Sequence, residues 1–210
     1  MKSRMIDPTW QVEANSDDCY RGYNGAYWDI ANASVGAGYW DINNQDVGAA
    51  FRFDNIAIPP GSTINSAYLS LYAYSDYAGD TVNTRIRAQL DADGITFSDA
   101  VDFDARAWTA EYMNWDAIGH WAADNWYDSP TDDGVRHFKD IIQAVIDLAG
   151  WNSGQAIVIA WEDWQERSTQ ANGTNRIAEG HTHEADKAAK LVIAYTPPAA
   201  AGRSSGYIIG

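Results

Sequence analysis

Residues 47–75 place the strongest constraint on the fold, because they predict two long β-strands joined by a turn. On both sides of the Pro59-Pro60-Gly61 sequence, apolar side chains alternate with small or polar ones, as in strands that bury one face. The two prolines remove two backbone donors, so the turn must lie outside a central hydrogen-bonded ladder, and Gly61 gives the freedom that a reversal needs. A protein with strands of this length is expected to be built on β-sheets.

The composition indicates a folded domain with a large surplus of acidic groups. The 210 residues are 46% hydrophobic and 13% aromatic, which is enough to bury a substantial core. The formal net charge of −15 repels a polyphosphate backbone, so nucleic acid is not expected as a partner. Cys19 is the single cysteine, which excludes an intrachain disulfide. No apolar run reaches the length of a membrane span, and residues 1–8 do not resemble a secretory signal.

One amphipathic helix is predicted among the strands, at about residues 135–149. Its apolar side chains recur at helical spacing, Thr131, Asp132 and Asp133 are available as N-terminal caps, and Gly150 is the predicted stop. Alternating or continuous apolar runs predict further strands. These are residues 10–14, 82–90, 155–161 and 190–195.

The first and last of these strands are expected to pair with each other in one sheet. In the strand at 82–90, the alternation places Arg85 and Arg87 on the face opposite the apolar side chains. Two aromatic-rich stretches, residues 20–44 and 95–133, lack a clear period and are interpreted as a long decorated loop and an irregular segment. Binding specificity is expected to reside in these stretches.

Several short motifs follow one another in a recognisable order. They are the Val47-Gly48, Phe51-Arg52-Phe53 and Ala67-Tyr68-Leu69 sequences, then Phe103-Asp104-Ala105-Arg106, Trp115, Ile141-Ile142-Gln143, Gly150-Trp151-Asn152-Ser153-Gly154-Gln155-Ala156 and the closing residues 189–195. This order resembles a jelly-roll β-sandwich domain, related to the DNRLRE and carbohydrate-binding-module sandwiches, of bacterial and archaeal surface proteins and phage structural proteins. The motifs are mainly structural, so the resemblance implies an architecture more than a ligand.

The resemblance covers about residues 9–196 and implies a mainly β fold there, a jelly-roll β-sandwich into which the helix is inserted. Residues 1–8 would form an N-terminal arm. Residues 197–210 are predicted to be a linker followed by a short apolar tail, Tyr207, Ile208 and Ile209. Such a tail can add a strand to a neighbouring sheet edge, and the alternative is a disordered chain end.

Catalytic activity is not expected. A glycoside hydrolase needs two carboxylates facing each other across a cleft, and the spacing of the six glutamates singles out no pair. Glu162 and Asp163 follow a strong strand, but acidic residues at a strand end are usually solvated loop charges. The sequence contains neither a serine nucleophile elbow nor a phosphate-binding glycine loop. The prediction is a protein that is not an enzyme and requires no cofactor.

Metal binding is considered for two groups of side chains. His181 and His183 lie two residues apart beside Glu184 and Asp186, but two imidazoles in a polar loop are usually exposed, so zinc is weakly indicated. A structural calcium is better supported because hard oxygen ligands cluster in turns, although none matches a complete EF-hand loop. The candidate calcium ligands are Asp17, Asp18, Asp91 and Asp93.

Aromatic rings between small polar residues predict a glycan-binding platform. Flat apolar ring faces stack on the C–H faces of sugars, while neighbouring polar groups bond the hydroxyls. The alternative is that these rings fold back and close one end of the sandwich, because most of the ten tryptophans must be buried. The candidate platform residues are Tyr23, Tyr27, Trp28, Tyr39 and Trp40.

These expectations together favour a non-catalytic structural or attachment module. The absence of a secretory signal, the single cysteine, the acidity and the apolar tail fit a phage virion surface protein, a decoration or tail-fibre protein assembled in the host cytoplasm. Its expected partners are glycans and other virion or surface-assembly proteins, the latter reached through the C-terminal tail in an oligomeric assembly. The alternative is a carbohydrate-binding module of a secreted, extracellular glycan-processing enzyme.

Overall fold

A computed structural model of the protein describes residues 5–23, 27–40, 44–76, 78–163, 165–171 and 173–199. Within these residues the backbone forms two antiparallel β-sheets, two α-helices and a short 3₁₀-helix at Ala185–Lys187. In chain order the elements are β1 (Thr9–Gln11), β2 (Asp18–Gly22), β3 (Trp28–Asp29), β4 (Ser34–Trp40), β5 (Gln45–Ile56), β6 (Thr63–Tyr72), β7 (Val82–Ala88), α1 (Ala100–Ala105), β8 (Met113–Ile118), β9 (Trp126–Asp128), α2 (Phe138–Ile146), β10 (Gln155–Glu162), β11 (Asn175–Glu179) and β12 (Lys190–Thr196).

The strands divide into a smaller and a larger sheet. The smaller sheet has the order β1-β12-β6-β9, and the larger has the order β11-β4-β5-β10-β7-β8, with β2 and β3 added beside β5. β1 pairs with β12 through Trp10 and Leu191, which confirms that the first and last strands are neighbours. Ile6, in the predicted N-terminal arm, exchanges two backbone hydrogen bonds with Tyr195, so part of the arm continues this sheet.

The turn at Pro59-Pro60-Gly61 carries the chain from the larger sheet to the smaller one. Both predicted strands are confirmed, but β5 belongs to the larger sheet and β6 to the smaller, so they do not pair with each other. The backbone N–H of Ser62 donates to the carbonyl of Pro59 at 3.2 Å, and Gly61 has a φ of 76°, which glycine adopts without strain. The prolines lie outside both ladders, as their missing donors require.

Apolar side chains from both sheets meet between them in the core. Phe51 and Phe53 on β5 and Leu69 and Leu71 on β6 are completely buried in the same cluster. Removal of such side chains from water is the main driving force that holds two sheets face to face. The prediction of a mainly β, sandwich-type fold with an amphipathic helix is therefore confirmed.

Helix α2 is the predicted amphipathic helix, but it is shorter than residues 135–149. Its N-cap is His137, and Asp133 instead accepts from two backbone N–H groups of the turn that precedes the helix. The last helical residue is Ile146, so Gly150 is not the stop, because residues 147–150 form turns instead of a further helical turn. None of the helices in the described part of the chain is long and apolar enough to cross a membrane.

The interpretation of residues 20–44 as a long loop is wrong, because most of the described residues in this range belong to strands β2, β3 and β4. β4 shows no visible alternation because glycine occupies the positions at which a side chain would collide with β11. A Cβ on Gly36 would lie 2.5 Å from the carbonyl oxygen of Arg176, and one on Gly38 would lie 2.4 Å from that of Thr174. Because the two strands approach closely, β4 needs glycines, and the alternation that would predict a strand is not visible in its sequence.

Residues 95–133 are also more regular than expected, since they contain α1, β8 and β9. β8 pairs with β7 in the larger sheet and buries Met113 and Trp115, while β9 pairs with β6 at the edge of the smaller sheet. β8 has six residues and β9 has three, which gives a period too few repeats to be recognised.

Candidate functional site

Four aromatic rings line a small surface pocket beside β2 and β4, those of Tyr20, Tyr27, Trp40 and Tyr74. Tyr27 and Trp40 lie edge to face with their ring centroids 5.2 Å apart, and Tyr20 lies 5.5 Å from Tyr27 and 6.0 Å from Trp40. Strands β2 and β4 bring two of these rings together because both pair with β5. This aromatic pocket has a volume of about 230 Å³. Pockets that enclose drug-sized molecules measure about 300–1,000 Å³, so the space suits a single ring-sized group.

Neutral polar groups stand beside the rings of the aromatic pocket. Asn32 donates from Nδ2 to the hydroxyl of Tyr27 at 2.7 Å and to Asp29 at 3.2 Å, which fixes its amide. Asn175 donates from Nδ2 to the carbonyl of Tyr39 at 3.1 Å, while its Oδ1 is buried and accepts no hydrogen bond from the described residues. An unpaired buried amide oxygen costs about 1–3 kcal/mol, and a ligand hydroxyl that reached it would remove that cost.

The five predicted platform residues do not form one surface. Tyr27 and Trp40 lie together in the aromatic pocket, whereas Tyr23 and Trp28 pack in the cluster on the outer face of the larger sheet. Tyr39 is buried, and its hydroxyl bonds an asparagine side chain. Successive residues of a strand point to opposite faces, so neighbours in this sequence are separated in the fold.

The candidate calcium ligands are held by an arginine and by backbone groups. Arg52 donates from Nη1 to Asp17 at 3.2 Å and from Nε to the carbonyl of Gly94 at 2.7 Å, so its guanidinium bridges the two acidic turns. Asp93 accepts from the backbone N–H of Ala156 at 3.0 Å. Calcium takes about 6–8 oxygen ligands, and one oxygen of Asp17 and one of Asp93 are already bonded to donors of the chain itself. Calcium binding at these turns stays a prediction.

Asp18 and Asp91 are engaged in a similar way. Asp18 accepts from the backbone N–H of His181 at 2.7 Å, and Asp91 accepts from that of Asp93 at 3.1 Å. Burial raises the pKa of Asp18 to about 7, with a further contribution from the charge of Asp17. In the described part of the chain, the four aspartates do not form a group with closely spaced ligand atoms.

One group among the described residues does have the spacing of metal ligands. The ligand atoms of Glu179, His183 and Glu184 lie within 4.8 Å of one another. His183 Nδ1 lies 2.8 Å from Glu179 Oε2, and Glu184 forms an ion pair of 2.8 Å with Lys187, so each carboxylate already has a basic partner. His181, the other imidazole of the weak zinc prediction, bonds an asparagine side chain instead.

Glu162 and Asp163 are buried, so their interpretation as solvated strand-end charges is wrong. Glu162 accepts from the hydroxyl of Tyr23 at 2.7 Å and pairs with Arg87. Burial raises the pKa of Glu162, and the Arg87 charge and the Tyr23 hydroxyl oppose this effect. Asp163 accepts from two backbone N–H groups of the loop that follows it. Both carboxylates therefore bond and stabilise their own surroundings.

An arginine-rich face that the sequence did not reveal lies on the outer side of the larger sheet. The guanidinium carbons of Arg85 and Arg136 are each 4.1 Å from the ring centroid of Tyr112, and that of Arg87 is 4.7 Å from the ring of Trp108. The alternation of β7 does place Arg85 and Arg87 on one face. Their aromatic partners come from the segment in which no period is visible.

The predicted partner-binding tail, Tyr207, Ile208 and Ile209, lies outside the described residues. No family model matches the sequence, and no curated protein is significantly similar to it. What the protein binds must therefore be inferred from the geometry of the aromatic pocket and of the arginine-rich face.

Proposed function

We propose that the protein is a non-catalytic attachment module that recognises a neutral sugar through the aromatic pocket. The edge-to-face pair of Tyr27 and Trp40, 5.2 Å apart and flanked by amides, is the observation that carries this proposal. Aromatic faces take up the C–H groups of a sugar ring, and amides and hydroxyls fix its hydroxyl groups. The pocket offers both kinds of contact within the space of one ring.

The polar lining favours a neutral ligand over a charged one. Asn32, Ser34 and Asn175 line the pocket together with aromatic and aliphatic side chains, and no described lining residue is charged. Burial and the nearby charge of Asp29 raise the pKa of Tyr27, so its hydroxyl stays protonated at neutral pH. A protonated hydroxyl can donate to a sugar oxygen, as recognition of a neutral polyol requires.

The positions of the carboxylates support a role without catalysis. Hydrolysis of a glycosidic bond uses two carboxyl groups about 5–10 Å apart across the sugar. The described residues that line the aromatic pocket include no acidic side chain. Glu162 lies on the outer face of the larger sheet, where one of its oxygens accepts a hydrogen bond from Tyr23 and the other pairs with Arg87.

We also propose a place for this module on a virion surface, among other virion proteins. The resemblance to jelly-roll domains of phage structural proteins supports this, and the net charge of −15 favours solubility of a protein that must reach high concentration before assembly. The same pocket would serve a carbohydrate-binding module of a secreted enzyme. Capsid, portal or tail genes beside the coding sequence favour the virion, whereas a neighbouring hydrolase domain favours the enzyme.

A glycan array with matched variants tests the sugar proposal. The wild-type protein is expected to bind a restricted set of neutral glycans, and Trp40→Ala and Asn32→Ala are expected to bind at least tenfold more weakly. Trp126→Ala is the control, because Trp126 is a partly exposed ring on β9 that also packs edge to face on a tyrosine. Binding that survives Trp40→Ala, or a folded wild type without any signal, would contradict the proposal.

A further inference from the structure

Four guanidinium groups lie around β7 on the arginine-rich face, and three of them form an ion pair with a carboxylate. Each carboxylate pairs with a different arginine: Glu162 with Arg87, Asp133 with Arg136 at 3.4 Å, and Asp116 with Arg167 at 2.7 Å. The fourth arginine is Arg85. Among the described residues it has no ion pair, and its buried Nε donates no hydrogen bond. Arg85 therefore differs from the other three arginines, because no carboxylate of the described residues lies within ion-pair distance of it.

Arg85 is fixed in position although it forms no ion pair with the described residues. On β7 it lies between its two cross-strand neighbours, Glu162 on β10 and Asn114 on β8. Its guanidinium carbon lies 4.1 Å from the ring centroid of Tyr112, which restricts the plane of the group. The residue remains partly exposed, so a ligand can reach the end of the guanidinium. A preorganised donor of this kind loses little freedom when it binds.

Charges of both signs act on Arg85. Burial lowers the pKa of Arg85, and the positive charges of Arg167 and Arg87 act in the same direction, whereas Tyr112 and the charge of Glu162 raise it. Glu162 attracts Arg85 but forms no ion pair with it, because its two oxygens are engaged by Tyr23 and Arg87. An anion at Arg85 would reduce the repulsion among the neighbouring guanidinium groups and form charge-assisted hydrogen bonds.

Asn114 adds an acceptor next to this donor. Its Oδ1 is buried and accepts no hydrogen bond from any described residue. Arg85 and Asn114 are direct cross-strand partners, so the unpaired donor and the unpaired acceptor lie side by side on the same face. A ligand bound at the exposed end of the guanidinium would therefore lie next to Asn114.

We propose that Arg85 anchors a carboxylate-binding site on the arginine-rich face, with Tyr112 against the guanidinium and Asn114 beside it. The planar guanidinium matches a planar carboxylate through two parallel N–H···O bonds. One arginine without an ion pair matches the single charge of a carboxylate, whereas a phosphate group carries about −1.5 to −2 charges. The site lies on the opposite face of the larger sheet from the aromatic pocket, so either assignment can fail without the other.

An NMR titration of the full chain with sodium acetate tests the site, read through the side-chain N–H of Arg85 and the ring signals of Tyr112. Acetate is expected to give saturable shifts at both groups, and sodium chloride at equal ionic strength is expected to give none. Phosphate and sulfate are expected to bind at least tenfold more weakly than acetate. Identical shifts with acetate and chloride, or saturable binding of phosphate or sulfate in preference to acetate, would overturn the proposal.

Two variants at position 85 distinguish the loss of the guanidinium donor from the loss of the folded structure. Arg85→Met keeps an apolar stem against Tyr112 and is expected to abolish the acetate response. Arg85→Lys keeps the charge without the planar fork and is expected to weaken acetate at least fivefold. The control is Lys190→Met, because Lys190 also lies over an aromatic ring, 3.7 Å from the centroid of Trp126 on the smaller sheet. Should Arg85→Met fail to fold, unchanged acetate affinity in Arg85→Lys would still overturn the assignment.

Discussion

The hydroxyl of Tyr23 donates a 2.7 Å hydrogen bond to Oε2 of Glu162, a residue that is completely buried on the outer face of the larger sheet. Its other carboxylate oxygen pairs with Arg87, whose guanidinium stacks on Trp108 at 4.7 Å. Burial and the charge of Glu162 raise the pKa of Tyr23, so the hydroxyl remains a donor at physiological pH. A buried carboxylate is tolerated in this position because both of its oxygens have partners.

Tyr23→Phe should therefore destabilise the protein although it removes a single oxygen atom. The change leaves one oxygen of buried Glu162 without its donor, and we expect the free energy of unfolding to fall by about 1–3 kcal/mol. Urea denaturation measures this change. Tyr74→Phe is the control, because Tyr74 is 40% exposed and should lose less than about 0.5 kcal/mol. Equal effects of the two substitutions would contradict the structural importance of the Tyr23–Glu162 bond.

Asp18 should make the protein less stable as the pH rises. Burial raises its pKa from 3.8 to about 7, so the folded protein retains a proton that the unfolded chain has already released in this range. Stability is therefore expected to fall between about pH 4 and pH 7. Asp18→Asn keeps an acceptor for the backbone N–H of His181 and removes the titration. Its free energy of unfolding at pH 8 should rise by up to about 4 kcal/mol, since one pKa unit corresponds to about 1.4 kcal/mol.

Denaturation curves recorded from pH 4 to pH 8 test the role of Asp18. The wild type should show a decline in stability that Asp18→Asn reduces. Asp7→Asn replaces an exposed aspartate and should follow the wild-type profile. A decline that is the same in Asp18→Asn and in the wild type would assign the pH dependence to other groups.

Arg176 should be one of the most sensitive positions for stability. It is completely buried, and among the described residues it donates to backbone carbonyls, including those of Gly119, Ile118 and Asp80. Arg176→Met leaves these carbonyls without a donor, and we expect a loss of at least about 3 kcal/mol. Hydrogen exchange should become faster around residues 118–119 and 173–175. Lys139→Met, at a partly exposed position of α2, should change neither quantity, and comparable effects of both substitutions would refute this role.

Gly38→Ala should disrupt the pairing of β4 with β11. The new Cβ would lie 2.4 Å from the carbonyl oxygen of Thr174, and Gly38 has a φ of 119°, which strains any other residue. We expect a loss of at least about 2 kcal/mol in thermal or urea unfolding. Gly119→Ala is the matched control, because a Cβ added to Gly119 would meet nothing within 4 Å. A neutral Gly38→Ala would mean that the two strands can separate without cost.

The sequence predicts the elements with long uninterrupted patterns and misses those that depend on close contacts. β5, β6 and α2 each carry enough apolar repeats to show their period, and the structure confirms them. β4 is hidden because Gly36 and Gly38 remove the side chains that would mark its faces. The N-terminus of α2 differs from the prediction because Asp133 accepts hydrogen bonds from the turn before the helix and does not act as its cap.

The candidate sites show a second limit of prediction from the sequence, because pairing between distant parts of the chain brings their residues together. Tyr27 precedes β3, which pairs with β2, and Trp40 ends β4; the two rings are close because β2 and β4 both pair with β5. No local pattern distinguishes them from Trp28. The acidic turns suggest calcium from their composition. Arg52, which bonds Asp17 across the sheet, is a partner that spacing in the sequence does not identify.

The turn at Pro59-Pro60-Gly61 also affects the order in which the strands can pair during folding. Since β5 and β6 lie in different sheets, the turn does not join them in a hairpin, and each strand has a distant partner: Phe53 pairs with Ile157, and Leu69 pairs with Leu191. Long loops must close before such pairings contribute, and folding of domains rich in distant contacts takes about milliseconds to seconds. Until β12 pairs with β6, the smaller sheet lacks one of its two central strands, and the inner face of β6 remains exposed to solvent. Burial of the core is therefore expected to be a late, slow event that depends on the arrival of β12.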